Sequence, residues 1–545
     1  MYKKGDTAKV NDRHIYQGED MVMAKFITAT EAAKLIPDGA TIGIAGMGLS
    51  GWAEEVACAI RDLFKETGHP CGINLKQGSA MGDWGKRGVT RLGEAGPGLV
   101  TRWSGAHIGS AYALRDLAVN NKLQCHCLPQ GVIVNLWREI ASGRPGLLTK
   151  VGLGTFVDPR LEGGKMNDCT TDELVELIEF EGEEYLFYKG FKLDVAMLRG
   201  TVADEEGNIS FANESILNEG LAVATAAKNT GGIVIVQVEY LTQKKTLNPK
   251  EVRIPGILVD YVVQAMDPMS CWQAEGIYFE PAFSGQLKKP LSAIQPLPFD
   301  ERKVICRRCA MEVSVGDVVN LGIGMPAEMP NIVAEEGFIE HMTMTTESGM
   351  VGGIPSALPN FGSAYNPDAV MEHGAMFDFI DGGGLSMACL GIGEIDQYGN
   401  NNVSKLGARL TGPGGFINIT RATPKVVFCG TFVDKAELKI GDGKLSVIKE
   451  GSKKKFVRSV EQITFAGQYT MPGQSVLYVT ERCVFRMIDG KITLIEIAPG
   501  IDLERDVLAQ MEFVPEISKG LKLMEADIFR EFWGGLGKYM VNTRS

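Results

Sequence analysis

No run in this 545-residue chain stays apolar over the roughly 20 residues that a membrane helix needs, so a membrane-spanning reading fails first. Positive charge is in deficit. Lys and Arg number 55 against 67 Asp and Glu, a formal net charge of -12, which argues against broad nucleic-acid binding and against adsorption to anionic lipid. An anionic small ligand stays open, because local cations and helix N-termini decide that. Histidine is scarce, at 6 residues. His107, His126 and His373 form no Ser-His-Asp layout and read as packed or surface side chains. The 11 cysteines are scattered, with Cys125-His-Cys127 and Cys306-Arg-Arg-Cys309 the close pairs. A zinc site needs about four ligands, and neither pair has a second half. The sequence therefore implies no metal centre and reduced thiols in a reducing, cytoplasmic compartment. Met1 to Lys25 is polar and charged, unlike a secretory leader.

What is abundant is glycine, 66 residues against an average usage of about 7%, set in short motifs rather than low-complexity tracts. Such spacing suits many tight strand-to-helix turns. A chain this long exceeds one core, so two or more domains are expected. Residues 1–26 read as a polar extension. Thr30 is placed to cap a helix with Ala32, Ala33, Leu35 and Ile36 on its apolar face. Strands then follow at 40–45, Ile73–Gln77, Leu123–Leu128, Val195–Thr201 and Ile233–Tyr240. Helices are expected between them at Trp52–Phe64, Thr171–Glu179 and Glu214–Ala227. This βα alternation predicts a mostly parallel sheet covered by helices over 27–265. Residues 266–298, with prolines at 268, 281, 290, 296 and 298, read as a linker. A second βα series occupies 299–545, beginning with helix Phe299–Met311. Asp38-Gly-Ala-Thr-Ile-Gly-Ile-Ala-Gly-Met-Gly48 and Val315-Gly-Asp-Val-Val-Asn-Leu-Gly-Ile-Gly-Met325 share one layout of turn, buried strand, glycine turn and helix. The fold class is therefore α/β: two related open domains in tandem with mostly parallel sheets.

Three glycine motifs carry chemistry. Gly46-x-Gly48-x-x-Gly51 fits the dinucleotide fingerprint, but the next strand ends in Gln77-Gly78 where an acidic ribose ligand belongs, so strand–helix packing competes well. Gly322-Ile-Gly-Met-Pro326 sits between a strand and a helix, Ala327–Glu336, whose N-terminus suits phosphate. Gly412-Pro-Gly-Gly-Phe416 precedes an apolar strand expected at Ile417–Ile419 and can present a backbone N–H to a ligand oxygen. The organising stretch is Met342-Thr-Met-Thr-Thr-Glu-Ser-Gly-Met-Val-Gly-Gly-Ile-Pro355. A charge-free strand there runs into Glu347 and then into glycines. A carboxylate at such a strand end can act as base, metal ligand or nucleophile.

Thr346-Glu347-Ser348-Gly349 with Gly352 and Gly353 resembles the active-site segment of family I CoA-transferases, most closely the single-chain acyl-CoA:acetate/3-ketoacid type. Leu128-Pro-Gln-Gly131 and Gly412-Pro-Gly-Gly415 match in the family's order, and the resemblance covers about residues 27–530. Ser348 departs from the Asn of the two-subunit and mitochondrial members. The resemblance implies ping-pong transfer of CoA from a short-chain acyl-CoA to a free carboxylate, with Glu347 as nucleophile. Gln130 (side-chain amide) and Gly415 (backbone N–H) would form the oxyanion hole, between the two domains. It assigns CoA contacts to Gly322, Ile323, Gly324, Met325, Pro326, Gly415 and Lys435. The apolar neighbours Met350 and Val351, with Gly352 and Gly353, would wall a dry acyl pocket. No cofactor is tightly bound in such enzymes, since CoA is a substrate; the partners are acyl-CoA and a short-chain carboxylate, and relatives form dimers or tetramers. Three other readings stay open: an acyl-CoA hydrolase on the same fold, a non-catalytic CoA-binding protein and a dinucleotide oxidoreductase.

Overall fold

In the computed structural model, which describes residues 24–290 and 296–540, two sheets lie in tandem and turn the carboxyl ends of their strands toward one cavity. The first sheet has eight strands on its main path: β1 (Lys25–Phe26), β2 (Thr41–Ile44), β3 (Ile73–Gln77), β4 (Val100–Gly105), β5 (Gln124–Cys127), β6 (Val195–Asp204), β7 (Ile233–Thr242) and β8 (Tyr261–Gln264). Their order is β1-β8-β7-β6-β2-β3-β4-β5 and every neighbouring pair is parallel. Parallel strands buried on both faces read as unbroken apolar runs, which is why Val195–Leu198 and Val234–Val236 are legible in the sequence. Helices α1 (Ala29–Lys34), α2 (Glu54–Thr67), α3 (Gln130–Ala141) and α4 (Gly220–Asn229) cover the faces.

The second sheet orders ten strands as β12-β11-β10-β9-β13-β14-β15-β16-β17-β18. They are β9 (Val318–Leu321), β10 (Thr343–Thr345), β11 (Met350–Val351), β12 (Ala369–Val370), β13 (Met387–Gly391), β14 (Lys425–Cys429), β15 (Ser475–Val479), β16 (Cys483–Ile488), β17 (Lys491–Ile497) and β18 (Glu516–Leu523). β10, β9, β13, β14 and β15 run parallel, while β11, β12 and β16 join antiparallel at the flanks. Period-two alternation splits its side chains between two cores. Cys389, Val427, Cys429 and Leu477 face helix α5 (Glu301–Ala310). Ala388, Leu390, Val426, Phe428 and Tyr478 face α6 (His373–Asp381) and α7 (Phe416–Ala422).

Four expectations change. Residues 1–23 of the expected extension lie outside the described residues, but Lys25 and Phe26 already belong to the sheet, paired with Tyr261 and Val262. The α1 cap is Thr28, not Thr30: its side chain accepts from Glu31 N while Glu31 Oε2 accepts from Thr28 N at 2.8 Å, a capping box. Thr171–Glu179 is not a helix, because Val175–Phe180 pairs antiparallel with Glu183–Lys189 in a separate three-stranded sheet. Ile417–Ile419 is not a strand but lies in α7; three apolar residues cannot tell the two apart. The described part of the Pro-rich linker packs into the protein. Ala282 and Phe283 are fully buried, and Gly276 N donates to Asn360 Oδ1 at 2.8 Å across the domains.

Candidate active site

Glu347 stands at the tip of the β10–β11 hairpin. Thr346 N donates to Met350 O and Gly349 N to Thr346 O, both at 3.1 Å, so Glu347 and Ser348 are the two central residues of a tight turn. A hydroxyl relay fixes that turn. Met350 N donates to Thr346 Oγ1, Thr346 donates to Ser348 Oγ at 2.7 Å, and Ser348 donates to the Gly362 carbonyl. Ser348 thus does structural work from a fully buried position.

The first domain meets this turn along a backbone seam. Ile108 N donates to Thr411 O at 2.9 Å, Gly414 N to Ala106 O at 2.9 Å, and Gln130 N to Gly414 O at 3.0 Å. The loops after β4 and β5 are thereby tied to the loop before α7. Helix α3 crosses α6 closely at Gly131, where even a methyl would come within 2.4 Å of the Phe377 ring. Gly131 N donates to Asn418 Oδ1 at 3.0 Å, and Arg138 pairs with Asp378 at 2.6 Å. As a result Gln130, Glu347 and Gly415, three distant positions in the chain, converge. A methyl built on Gly415 would sit 3.5 Å from the Glu347 carboxyl carbon, so this residue lies directly against the carboxylate with little room for a side chain.

A cavity of about 270 Å³ opens beside Glu347. Gly322 and Ile323 line it from the end of β9, Leu390 to Gly393 from the end of β13, and Gly412 to Phe416 from the third glycine loop. Trp84 and His107 close it from the first domain, with Phe361 and Leu406 adding apolar wall. Burial pushes the Glu347 carboxyl up to about 7, with a backbone hydrogen bond offsetting part of the rise. His107 is driven the other way, down to about 4, by burial and by Arg409, so it faces the cavity as a neutral imidazole.

Other residues expected at the site lie elsewhere. Gly324 has open space around it, Met325 packs into the second core, and Pro326 is buried. None of these three lines the cavity, nor does Lys435, which is exposed in a left-handed turn (φ +61°). The expected acyl wall turns away as well. Met350 packs with Met47, Ile216 and Ala364, and Gly352 and Gly353 line a separate groove with Lys288, Lys289 and Asp368. Hairpin geometry explains this, since antiparallel pairing of β11 with β12 directs the segment toward the domain edge. In the first domain, the dinucleotide-like turn is filled from inside the protein: Glu214 Oε2 accepts from Ser50 Oγ and Gly51 N at 3.0 Å each, and Arg199 pairs with Glu214 at 2.6 Å. Cys309, Cys389 and Cys429 gather their sulfurs within 4.8 Å of one another in the second core, a grouping the sequence spacing did not announce.

His373, which the sequence reads as a packed or surface side chain, sits next to Gln130. Its ring lies between Glu219 and Gln130, at 2.8 and 3.0 Å, wholly buried. An apolar surrounding run hid it, for the signal is the long-range pairing of Leu217 with Glu372.

A buried carboxylate at a strand end, lying against Gly415 and opening onto a cavity between the two domains, is the layout of an enzyme site. Comparison with known proteins agrees. The Coenzyme A transferase family model matches residues 26–265. The chain is 66% identical over 524 residues to caffeate CoA-transferase of Acetobacterium woodii, covering 95% of this chain and all of that one (100%). It is 39% identical over 508 residues to acetate CoA-transferase YdiF of Escherichia coli O157:H7, covering 92% and 94% of the two chains. The crystal structure of the YdiF apoenzyme matches with a TM-score of 0.90 at 37% identity over 96% of this chain and 99% of that chain. The YdiF thioester complex with CoA matches at 0.88, again at 37% identity, over 96% and 98%. The chain belongs to the coenzyme A transferase family and is an enzyme that transfers CoA. Among the described residues, no helix is long and apolar enough to cross a membrane.

Proposed function

We propose that this enzyme moves CoA between carboxylates by double displacement on Glu347. The Glu347 carboxylate attacks the acyl-CoA carbonyl; the C–S bond breaks, giving an acyl-glutamyl anhydride and CoA thiolate. The thiolate attacks the glutamyl carbonyl, expels the first carboxylate and leaves a glutamyl-CoA thioester. A second carboxylate enters and the two steps reverse onto it. Thioester energy is conserved, and no general base is required because every nucleophile acts as its anion. Each step passes through a tetrahedral oxyanion, for which Gly415 N–H and the Gln130 amide are the donors. The observation that carries this reading is that Gly415 lies against the Glu347 carboxyl carbon on the cavity wall, in a loop whose Gly414 carbonyl accepts from Gln130 N of the other domain. The thioester complex of YdiF supports the covalent intermediate.

For the acyl group, the cavity favours an aryl-propenoic acid of the caffeate kind. Trp84 and Phe361 supply aromatic wall, and the 66% identical relative is named for caffeate. Short-chain acids such as acetate, propionate and butyrate form the second reading, supported by the acetate enzyme at 39% identity. A cytoplasmic homo-oligomer, dimer or tetramer, belongs to the same proposal and is checked by light scattering.

The test is intact mass with peptide mapping after incubation with an acyl-CoA and no acceptor. A CoA adduct on the Glu347 peptide, cleared by added carboxylate and missing in Glu347→Gln, is expected. Competition between caffeate and acetate for the adduct then ranks the acids. Free CoA accumulating in water alone, without adduct, would instead favour a hydrolase.

A further inference from the structure

The Gln130 amide is held by a residue outside its own domain. Gln130 Nε2 lies 3.0 Å from His373 Nε2, and His373 Nδ1 lies 2.8 Å from Glu219 Oε2. A short contact between two nitrogens needs one of them to offer a lone pair. The amide nitrogen always carries its hydrogens, so the ring Nε2 accepts, and the ring proton resides on Nδ1, where it is donated to Glu219. The ring cannot drift. Its backbone N donates to Leu217 O at 2.9 Å, the Phe377 ring lies tilted against it at 5.5 Å, and neither His373 nor Glu219 has any exposed side-chain surface. Glu219 is the residue just before α4, in the first domain, and His373 begins α6 in the second.

We infer that His373, kept in one tautomer by Glu219, is the positioning residue that orients the Gln130 amide. The inference rests on the reading of Gln130 as an oxyanion donor. One amide N–H is committed to His373, and the planar amide then fixes the direction of the other, leaving it for the carbonyl oxygen of the thioester or anhydride. Glutamine χ3 is a soft, roughly two-fold torsion. Without an acceptor at His373, the amide can turn its oxygen toward the developing negative charge, which repels it. The Glu219–His373–Gln130 chain also runs across the domain seam, so the donor is set only when the two halves are docked.

The experiment measures the single-turnover rate of CoA adduct formation on Glu347 in the full-length enzyme, together with steady-state kcat and KM. Gln130→Ala and His373→Phe are each expected to slow adduct formation by roughly 100-fold, with KM for acyl-CoA nearly unchanged. The double variant should be no more than about 3-fold slower than Gln130→Ala alone, because both remove one donor. His373→Gln, whose side-chain oxygen can accept from Gln130, should recover most of the rate, which a packing role alone would not predict. A wild-type rate in His373→Phe, or the same fold loss with and without Gln130, overturns the inference. If His373→Phe does not fold by circular dichroism, Glu219→Ala frees the ring, and its loss should vanish in the Gln130→Ala background; an undiminished loss there overturns it. A wild-type rate in Gln130→Ala refutes the oxyanion reading and this inference with it, and absence of adduct in the wild type refutes the transferase mechanism itself.

Discussion

The two domains begin with the same strand, glycine turn and helix, yet the turns do opposite work. In the first domain, Gly46 to Gly51 closes around a carboxylate of the protein: Glu214 takes the Ser50 hydroxyl and the Gly51 N–H, and Arg199 neutralises it. A methyl on Gly51 would meet Asn218 Nδ2 at 2.6 Å and Ala45 O at 2.7 Å. In the second domain, Gly322 and Ile323 line the cavity, and a methyl on Gly324 meets nothing within 4 Å. One turn is plugged and serves the fold, while the other stays open at the site. A glycine motif presents backbone donors, but whether a ligand or a side chain from 160-odd residues away fills them is decided by what packs there (Glu214 is 163 positions from Gly51).

The largest effect should fall on the open side. Glu347→Gln is expected to lower kcat by roughly 10,000-fold or more, read by CoA release and by loss of the adduct. The same variant should be more stable at alkaline pH. The folded carboxyl holds its proton up to about 7 against 4.5 for a free side chain. Between those values the folded state binds more protons than the unfolded, so stability falls as pH rises, and the whole penalty is present above about 7. Removing it should stabilise Glu347→Gln by up to about 3 kcal/mol at pH 8 and by little near 4.5, measured by urea unfolding at the two pH values.

On the plugged side, Glu214→Ala strands a buried Arg199 and should cost about 3–5 kcal/mol of first-domain stability. Activity per folded molecule should be unchanged. A rate defect without a stability defect would mean the plugged turn is a functional site after all. Next in size comes acidity. kcat/KM should fall about tenfold per pH unit below about 7, as Glu347 takes up its proton, and a limb near the ordinary glutamate value would contradict the buried geometry. The smallest effect separates the turns most sharply. Gly324 holds φ +85° and ψ −129°, a region that side chains rarely enter, so Gly324→Ala should destabilise the second domain by about 1–3 kcal/mol, read by urea unfolding, although a methyl there meets no neighbour. Gly51→Ala should instead fail to accumulate as folded protein, visible in soluble yield.

Much of this was legible in the chain itself. The parallel strands announce themselves as apolar runs, because both of their faces are buried. Glu347 stands out because an acid at the end of a charge-free strand is costly unless it is used. Errors came where local preference and tertiary pairing disagreed. Val175–Phe180 carries helix-compatible Glu and Leu, and only the neighbouring strand Glu183–Lys189 makes it extended. Ile417–Ile419 is too short for its period to show, and it falls inside α7, which starts directly after Gly415. Thr28 was overlooked in favour of Thr30 although Glu31 three residues on marks the former.

The residue types and their order determined the two α/β halves, the acidic residue at the end of a charge-free strand and the glycine loops that can donate backbone N–H groups, since these depend on patterns a few residues long. Only the tertiary structure decided which glycine turn is open, that Met350 to Gly353 leave the cavity, and that His373 belongs to the site. The plugged turn and the His373 contact depend on groups more than 150 positions apart, such as Glu219 and His373 at a separation of 154, while Met350 and Val351 are turned away by pairing with Val370 and Ala369. No local pattern encodes such a meeting, because its free energy arises from burying and satisfying polar groups that the unfolded chain keeps apart.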